Sequence, residues 1–166
     1  MKKKLTLLVL PFIFLVACSM SNTPTSKVDE LFSKYQKLDD DINAGINDVL
    51  DEQNLSTSQK ERYRDILEKQ YKNISYQIKQ EEIDGDTATV TTEIEVTDLK
   101  KGVNDLVFDS NTYTKETFDE ERLKRLEQAK DKVKYTLDIT LTKDNNNNWK
   151  LNALTNEQIK KIQGMY

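Results

Sequence analysis

The residues able to do chemistry in this 166-residue chain are bounded first by what is missing. There is no His, and there is a single Cys, Cys18. That excludes Ser-His-Asp and Cys-His sites, imidazole acid/base work and His-ligated metals. One thiol also makes no intramolecular disulfide and no Cys-based zinc site. Two oxygen-rich clusters remain. Asp144, Asn146 and Asn148 match the first ligand spacings of a calcium loop, but Trp149 stands where such loops need Gly and Thr155 where they need Glu. Asp and Asn tolerate φ > 0, so this segment reads as a hairpin turn. Asp39, Asp40 and Asp41 are consecutive, and consecutive helical side chains fan out about 100° apart, too widely for one ion to collect. The expectation is no metal and no cofactor. The remaining reactive pairing is a carboxylate with a Tyr. Tyr35, Tyr63, Tyr71, Tyr76 and Tyr135 lie on apolar stripes, where Tyr usually packs with its hydroxyl at a rim.

The lone thiol has a particular address. Lys2, Lys3 and Lys4 precede an apolar run from Leu5 to Val16, broken only by Thr6 and Pro11. Twelve helical residues span about 18 Å, too little for a hydrocarbon core of roughly 30 Å. A charged head, a short apolar stretch and small residues make a secretory signal. Leu15-Val16-Ala17-Cys18 resembles a bacterial lipobox. The resemblance implies cleavage between Ala17 and Cys18, a diacylglycerol on the Cys18 sulfur, and a lipid-anchored protein on the outer side of the cell membrane. Residues 1–17 are then a signal peptide, and 18–26 are the lipidated Cys and a small polar tether. Residues 27–166 form one domain. The mature chain would keep 22 basic and 29 acidic residues, a net charge of −7. An acidic body suits neither nucleic acid nor anionic lipid, so the acyl chains alone must hold the membrane.

Leu, Ile, Val and Phe make up 22% of the mature chain, close to the roughly 20% where disorder sets in, so periodicity must decide. Val28, Leu31, Phe32, Tyr35 and Leu38 fall on one helical face, with Ser26 and Asp29 as the capping pair. Ile42, Ile46, Val49 and Leu50 predict a second helix, which Gly45 weakens. Tyr63, Ile66, Leu67 and Tyr71 predict a third, capped by Ser58 and Glu61. The period then changes to two. Ile74, Tyr76 and Ile78 alternate with polar residues as far as Asp84-Gly85, a strong hairpin signal. Ala88, Val90, Thr92, Ile94 and Val96 continue on the return strand. Leu99, Val103, Leu106 and Val107 have helical spacing. Thr117 and Glu120 then cap a charged helix through Leu123 and Leu126, and the charged run Asp119 to Lys132 reads as a solvated face. Val133 to Leu141 alternates again, and Asp144 to Asn148 turns the chain. Trp149, Leu151 and Ala153 make a last strand, and Thr155 with Gln158 caps a final helix. The fold class is α+β: an antiparallel four-stranded sheet with helices on one face.

Helices followed by a curved meander resemble the nuclear transport factor 2-like group of the wider cystatin-like class. In particular, the tail Trp149-Lys150-Leu151-Asn152-Ala153-Leu154-Thr155 is similar to the final hairpin of small bacterial lipoproteins that carry this domain. The resemblance implies a pocket-bearing scaffold and no particular activity. Enzymes of the group work with an acidic residue and a Tyr inside the cone between helix and sheet. Here Glu93, Glu95 and Asp138 have outward parity, and Glu82 has inner parity but sits at the hairpin end. The leading expectation is therefore a non-catalytic binding or accessory domain, monomeric, with a protein or small-molecule ligand. The alternatives are an enzyme using a carboxylate and Tyr, or an inhibitor or immunity protein for a secreted partner.

Overall fold

The computed structural model describes residues 22–166. Six helices and four strands run α1 (Pro24–Lys37), α2 (Asp40–Glu52), α3 (Thr57–Lys72), β1 (Ser75–Asp84), β2 (Thr87–Thr97), α4 (Leu99–Val103), α5 (Lys115–Gln128), β3 (Lys132–Lys143), β4 (Trp149–Leu151) and α6 (Asn156–Ile162). The strands form one antiparallel sheet in the order β1-β2-β3-β4, so the mixed α+β class holds. Helix starts depart from the expected caps. Thr23 caps α1 in a box with Ser26, and Pro24 occupies the first turn. Pro is preset for that position, so the helix begins inside the stretch expected to be tether. Ser56 with Gln59 caps α3, and Thr114 with Thr117 caps α5, each three residues or less before the expected start. In all three, a hydroxyl or amide rather than Glu closes the box. Of the four helices with an expected cap, α6 alone starts on it, at Thr155 with Gln158.

The hairpin turns at Gly85, whose φ of 59° lies in the left-handed region that glycine adopts without cost. Residues Ala88, Val90, Thr92, Ile94 and Val96 of β2 face the helices opposite Leu141, Ile139, Leu137, Tyr135 and Val133 of β3. In β1 the register slips between Ile78 and Gln80. One extra residue reverses the parity beyond it. Glu81 opposes Val90 and Ile83 opposes Ala88, both on the helix side, while Glu82 opposes Thr89 on the outer side. The inner parity expected for Glu82 is thus overturned. Two further expectations fail locally. Helix α4 stops at Val103, leaving Leu106 and Val107 in a loop, and β4 stops at Leu151, before Ala153.

The apolar faces close on one core. Val28 and Phe32 from α1, Leu67 from α3 and Leu126 from α5 meet Val90, Ile94, Leu137, Ile139 and Leu141 of the sheet, all essentially without solvent contact. Each side chain of this size adds about 1.5–3 kcal/mol by leaving water. Thr92 is the exception in this layer. It is fully buried, and its hydroxyl has no hydrogen-bond partner. Gln70 makes the opposite arrangement: its amide donates to the Thr97 carbonyl at 2.9 Å and accepts from the Thr97 N–H at 3.1 Å, extending the β2 edge onto α3.

Candidate binding surface

The tyrosines that could have served chemistry are packing residues. Tyr76 stacks on Phe32 at 4.6 Å, and Tyr35 meets Tyr71 edge-on at 5.0 Å. The Tyr76 hydroxyl faces Asp29, a carboxylate that the sequence placed in the α1 cap and not beside a Tyr. Burial and then the Asp29 charge push Tyr76 up to about 12. Burial also raises Tyr35, Tyr71 and Tyr135. Asp29 thus lies beside the hydroxyl of a ring that stacks on Phe32.

The carboxylates on the sheet have electrostatic partners of their own. Glu93 lies between Lys134 at 3.2 Å and Lys79 at 3.6 Å, and hydrogen bonding to Lys134 lowers its pKa. Asp138 accepts from the Thr91 hydroxyl at 2.7 Å. Asp119 corrects an expectation. It is only 8% exposed, and it pairs with Lys115 at 2.6 Å while the same ammonium donates to the Asn54 carbonyl at 2.7 Å. This part of the charged run ties α5 to the α2–α3 connection and is not a solvated face. Beside it, Arg62 of α3 reaches Glu120 at 2.5 Å and Glu127 at 2.7 Å on α5.

The two cation candidates have other work. One Asp144 carboxylate oxygen accepts from the backbone N–H groups of Asn146 and Asn148, both at 2.9 Å. Those bonds close the expected turn and lower the Asp144 pKa. Asp39 caps α2 by accepting from the Ile42 N–H at 3.1 Å. No group of three or more metal-ligating side chains converges among the described residues. Ala17 and Cys18 lie outside them.

What projects from the domain is an apolar cluster on the α4–α5 loop. Val107 is 73% exposed and Phe108 50%. Phe108 packs edge-on against Phe118 of α5 at 5.4 Å, and Tyr113 also meets that ring edge-on at 5.7 Å. The loop is held in shape by Asp109. Its carboxylate accepts from the Asn111 N–H at 3.0 Å and the Thr112 hydroxyl at 2.9 Å, and its carbonyl accepts from the Tyr113 N–H at 2.8 Å. The bonds to the carboxylate lower the Asp109 pKa, the Asn111 N–H foremost and then the Thr112 hydroxyl. A groove of about 310 Å³ adjoins the aromatics, lined by Arg62, Tyr113, Thr117, Glu120, Glu121 and Lys124. Sequence reasoning missed this surface because Val107 completes a helical spacing with Leu99, Val103 and Leu106. The available signal was the run Leu106-Val107-Phe108 between polar breakers, too short for its own helix.

No protein-family model matches the chain, nor does any curated protein sequence or solved structure.

Proposed function

We propose that this chain is a bacterial lipoprotein, held on the extracytoplasmic face of the cell membrane by diacylglycerol on Cys18. Its domain, of the cystatin-like and nuclear transport factor 2-like kind, binds a protein partner without catalysis. The α+β order and the helix-covered antiparallel sheet support the fold assignment. The motif Leu15 to Cys18 supports the anchor. The observation that carries the binding role is the Phe108 cluster. Val107 and Phe108 stand exposed side by side on the loop, with the half-buried Phe118 of α5 beneath Phe108, and contiguous apolar patches rimmed by polar groups mark interaction sites. Aromatic residues fixed by a hydrogen-bonded turn lose little entropy on contact. The patch projects outward, which suits a protein surface better than a small molecule.

The test is cross-linking of the membrane-bound protein in its native cells, followed by reconstitution with the purified partner. Phe108→Asp should weaken that reconstituted complex at least tenfold, while Thr91→Arg on the sheet should leave it intact. A partner bound equally by wild type and Phe108→Asp would refute the assignment of this surface. Cys18→Ala should lose both the diacylglycerol and membrane partitioning. Retention of either would refute the anchor.

A further inference from the structure

The first described residue is not a loose end. The Asn22 side-chain amide donates to the Asn147 carbonyl at 3.1 Å, and its oxygen accepts from the Trp149 N–H at 2.9 Å. Three residues on, the Thr25 N–H and hydroxyl donate to the Glu81 carboxylate at 2.8 and 2.6 Å. These partners belong to the β3–β4 turn and the β1–β2 hairpin, which share one end of the sheet. The other end carries Thr97, α4 and the α6 terminus, joined where the Lys100 N–H donates to the Gly164 carbonyl at 2.8 Å. A strand of ten residues puts those ends about 33 Å apart.

Resting on the proposed lipidation of Cys18, we infer that this turn end of the sheet is held against the bilayer surface. Three residues lie between Cys18 and Asn22, and the four residue steps, even fully extended, reach no more than about 14 Å. A leash of that length, ending in a two-point clamp, fixes which end of the domain meets the membrane as well as how far away it sits. The apposed surface includes the Asp84-Gly85 turn and Ile83, which is 54% exposed at the hairpin end. Asp84, Asp86 and Asp144 outweigh Lys143 and Lys150 there, so contact with anionic headgroups comes from the leash and not from charge attraction.

Trp149, the chain's one Trp, sits at the clamp and reports its height. The lipoprotein is purified from membranes and placed in phosphatidylcholine vesicles carrying a dansylated headgroup, and energy transfer from Trp149 is measured. The comparison is a variant with about 12 Gly/Ser residues inserted between Ser21 and Asn22, which adds roughly 20 Å of flexible reach. The inference expects transfer to fall at least twofold in the insertion variant and to fall part of the way in Asn22→Ala. Equal transfer in wild type and insertion variant, with diacylglycerol present on Cys18 by mass spectrometry, overturns the orientation alone. Absence of diacylglycerol overturns the anchor and the orientation together.

Discussion

Gly164 is the position where the packing can be tested most sharply. It follows α6 with φ at 70°, in the left-handed region. A methyl group there would collide with the Thr97 carbonyl oxygen and come within 2.5 Å of the Gln70 side-chain amide. The backbone conformation alone costs Ala about 1–2 kcal/mol. The collision must also displace the Thr97 carbonyl from Gln70, or lift α6 off the bond between Lys100 N–H and Gly164 carbonyl. Either loss leaves a buried polar group unmatched, for about 1–3 kcal/mol more. Gly164→Ala should therefore destabilise by about 2–5 kcal/mol, a large part of the roughly 5–15 kcal/mol available to a domain. Two other glycines calibrate the measurement. Gly85 also has a positive φ, but nothing lies within 4 Å of its added methyl, so Gly85→Ala should cost only about 1–2 kcal/mol. Gly45 is inside α2 with open space around it, so Gly45→Ala should stabilise by about 0.5–1 kcal/mol. Urea unfolding of the three variants, at a common slope, reads the differences directly. If Gly164→Ala costs no more than Gly85→Ala, the close approach of α6 to the β2 end is wrong.

Three further outcomes follow from the same packing. Thr92→Val replaces a buried, unpartnered hydroxyl by a methyl of equal size and should raise stability by about 1 kcal/mol in urea unfolding; a loss would mean the hydroxyl has a partner after all. Glu120 is lowered by Gln59 and then Arg62, and Glu127 by Arg62. A lowered carboxylate stabilises above its ordinary value near 4.5 and loses that contribution as pH falls through the folded value, so the midpoint should drop more steeply below pH 5 in wild type than in Arg62→Met. Parallel pH profiles would refute it. The outer sheet face, with Glu93, Lys134 and Asp138 among threonines, should not form a strong dimer; a stable dimer in sedimentation that Thr91→Arg dissociates would show otherwise.

The strands were legible because their signals reinforce one another. Alternation in β2 and β3 agrees with Asp84-Gly85 at the turn, and a one-residue error would have put charge in the core. The slip in β1 was hidden because Gln80, Glu81 and Glu82 are all polar and carry no parity. The trace it left is that Ile74, Tyr76 and Ile78 stand at even numbers and Ile83 at an odd one. Helix starts were misplaced because Ser and Thr recur every few residues and any of them can cap. Asp119 shows a different limit. Its burial depends on Lys115 and on the Asn54 carbonyl 65 residues earlier, a contact that no local pattern announces. The Phe108 surface was hidden for the converse reason: Val107 fits a helical spacing, but α4 stops at Val103 and leaves it without a core to face.

The hidden slip also gives β1 a position that the regular alternation would not. Without the extra residue, Glu82 would share the helix-side face and Glu81 would point outward, away from α1. With it, Glu81 lies under the start of α1 and accepts from Thr25 twice, in the first turn, where backbone N–H groups have no helical partner. The anion also meets the positive end of the helix dipole. Those bonds are exposed and contribute little net stability, so their effect is mainly geometric. They hold the α1 start over the hairpin, as Asn22 holds it to the β3–β4 turn. A helix entered from a lipid only a few residues away would otherwise pivot about its first turn. Fixing it at two separate points of the sheet removes that freedom, and a single inserted residue in β1 supplies one of the two.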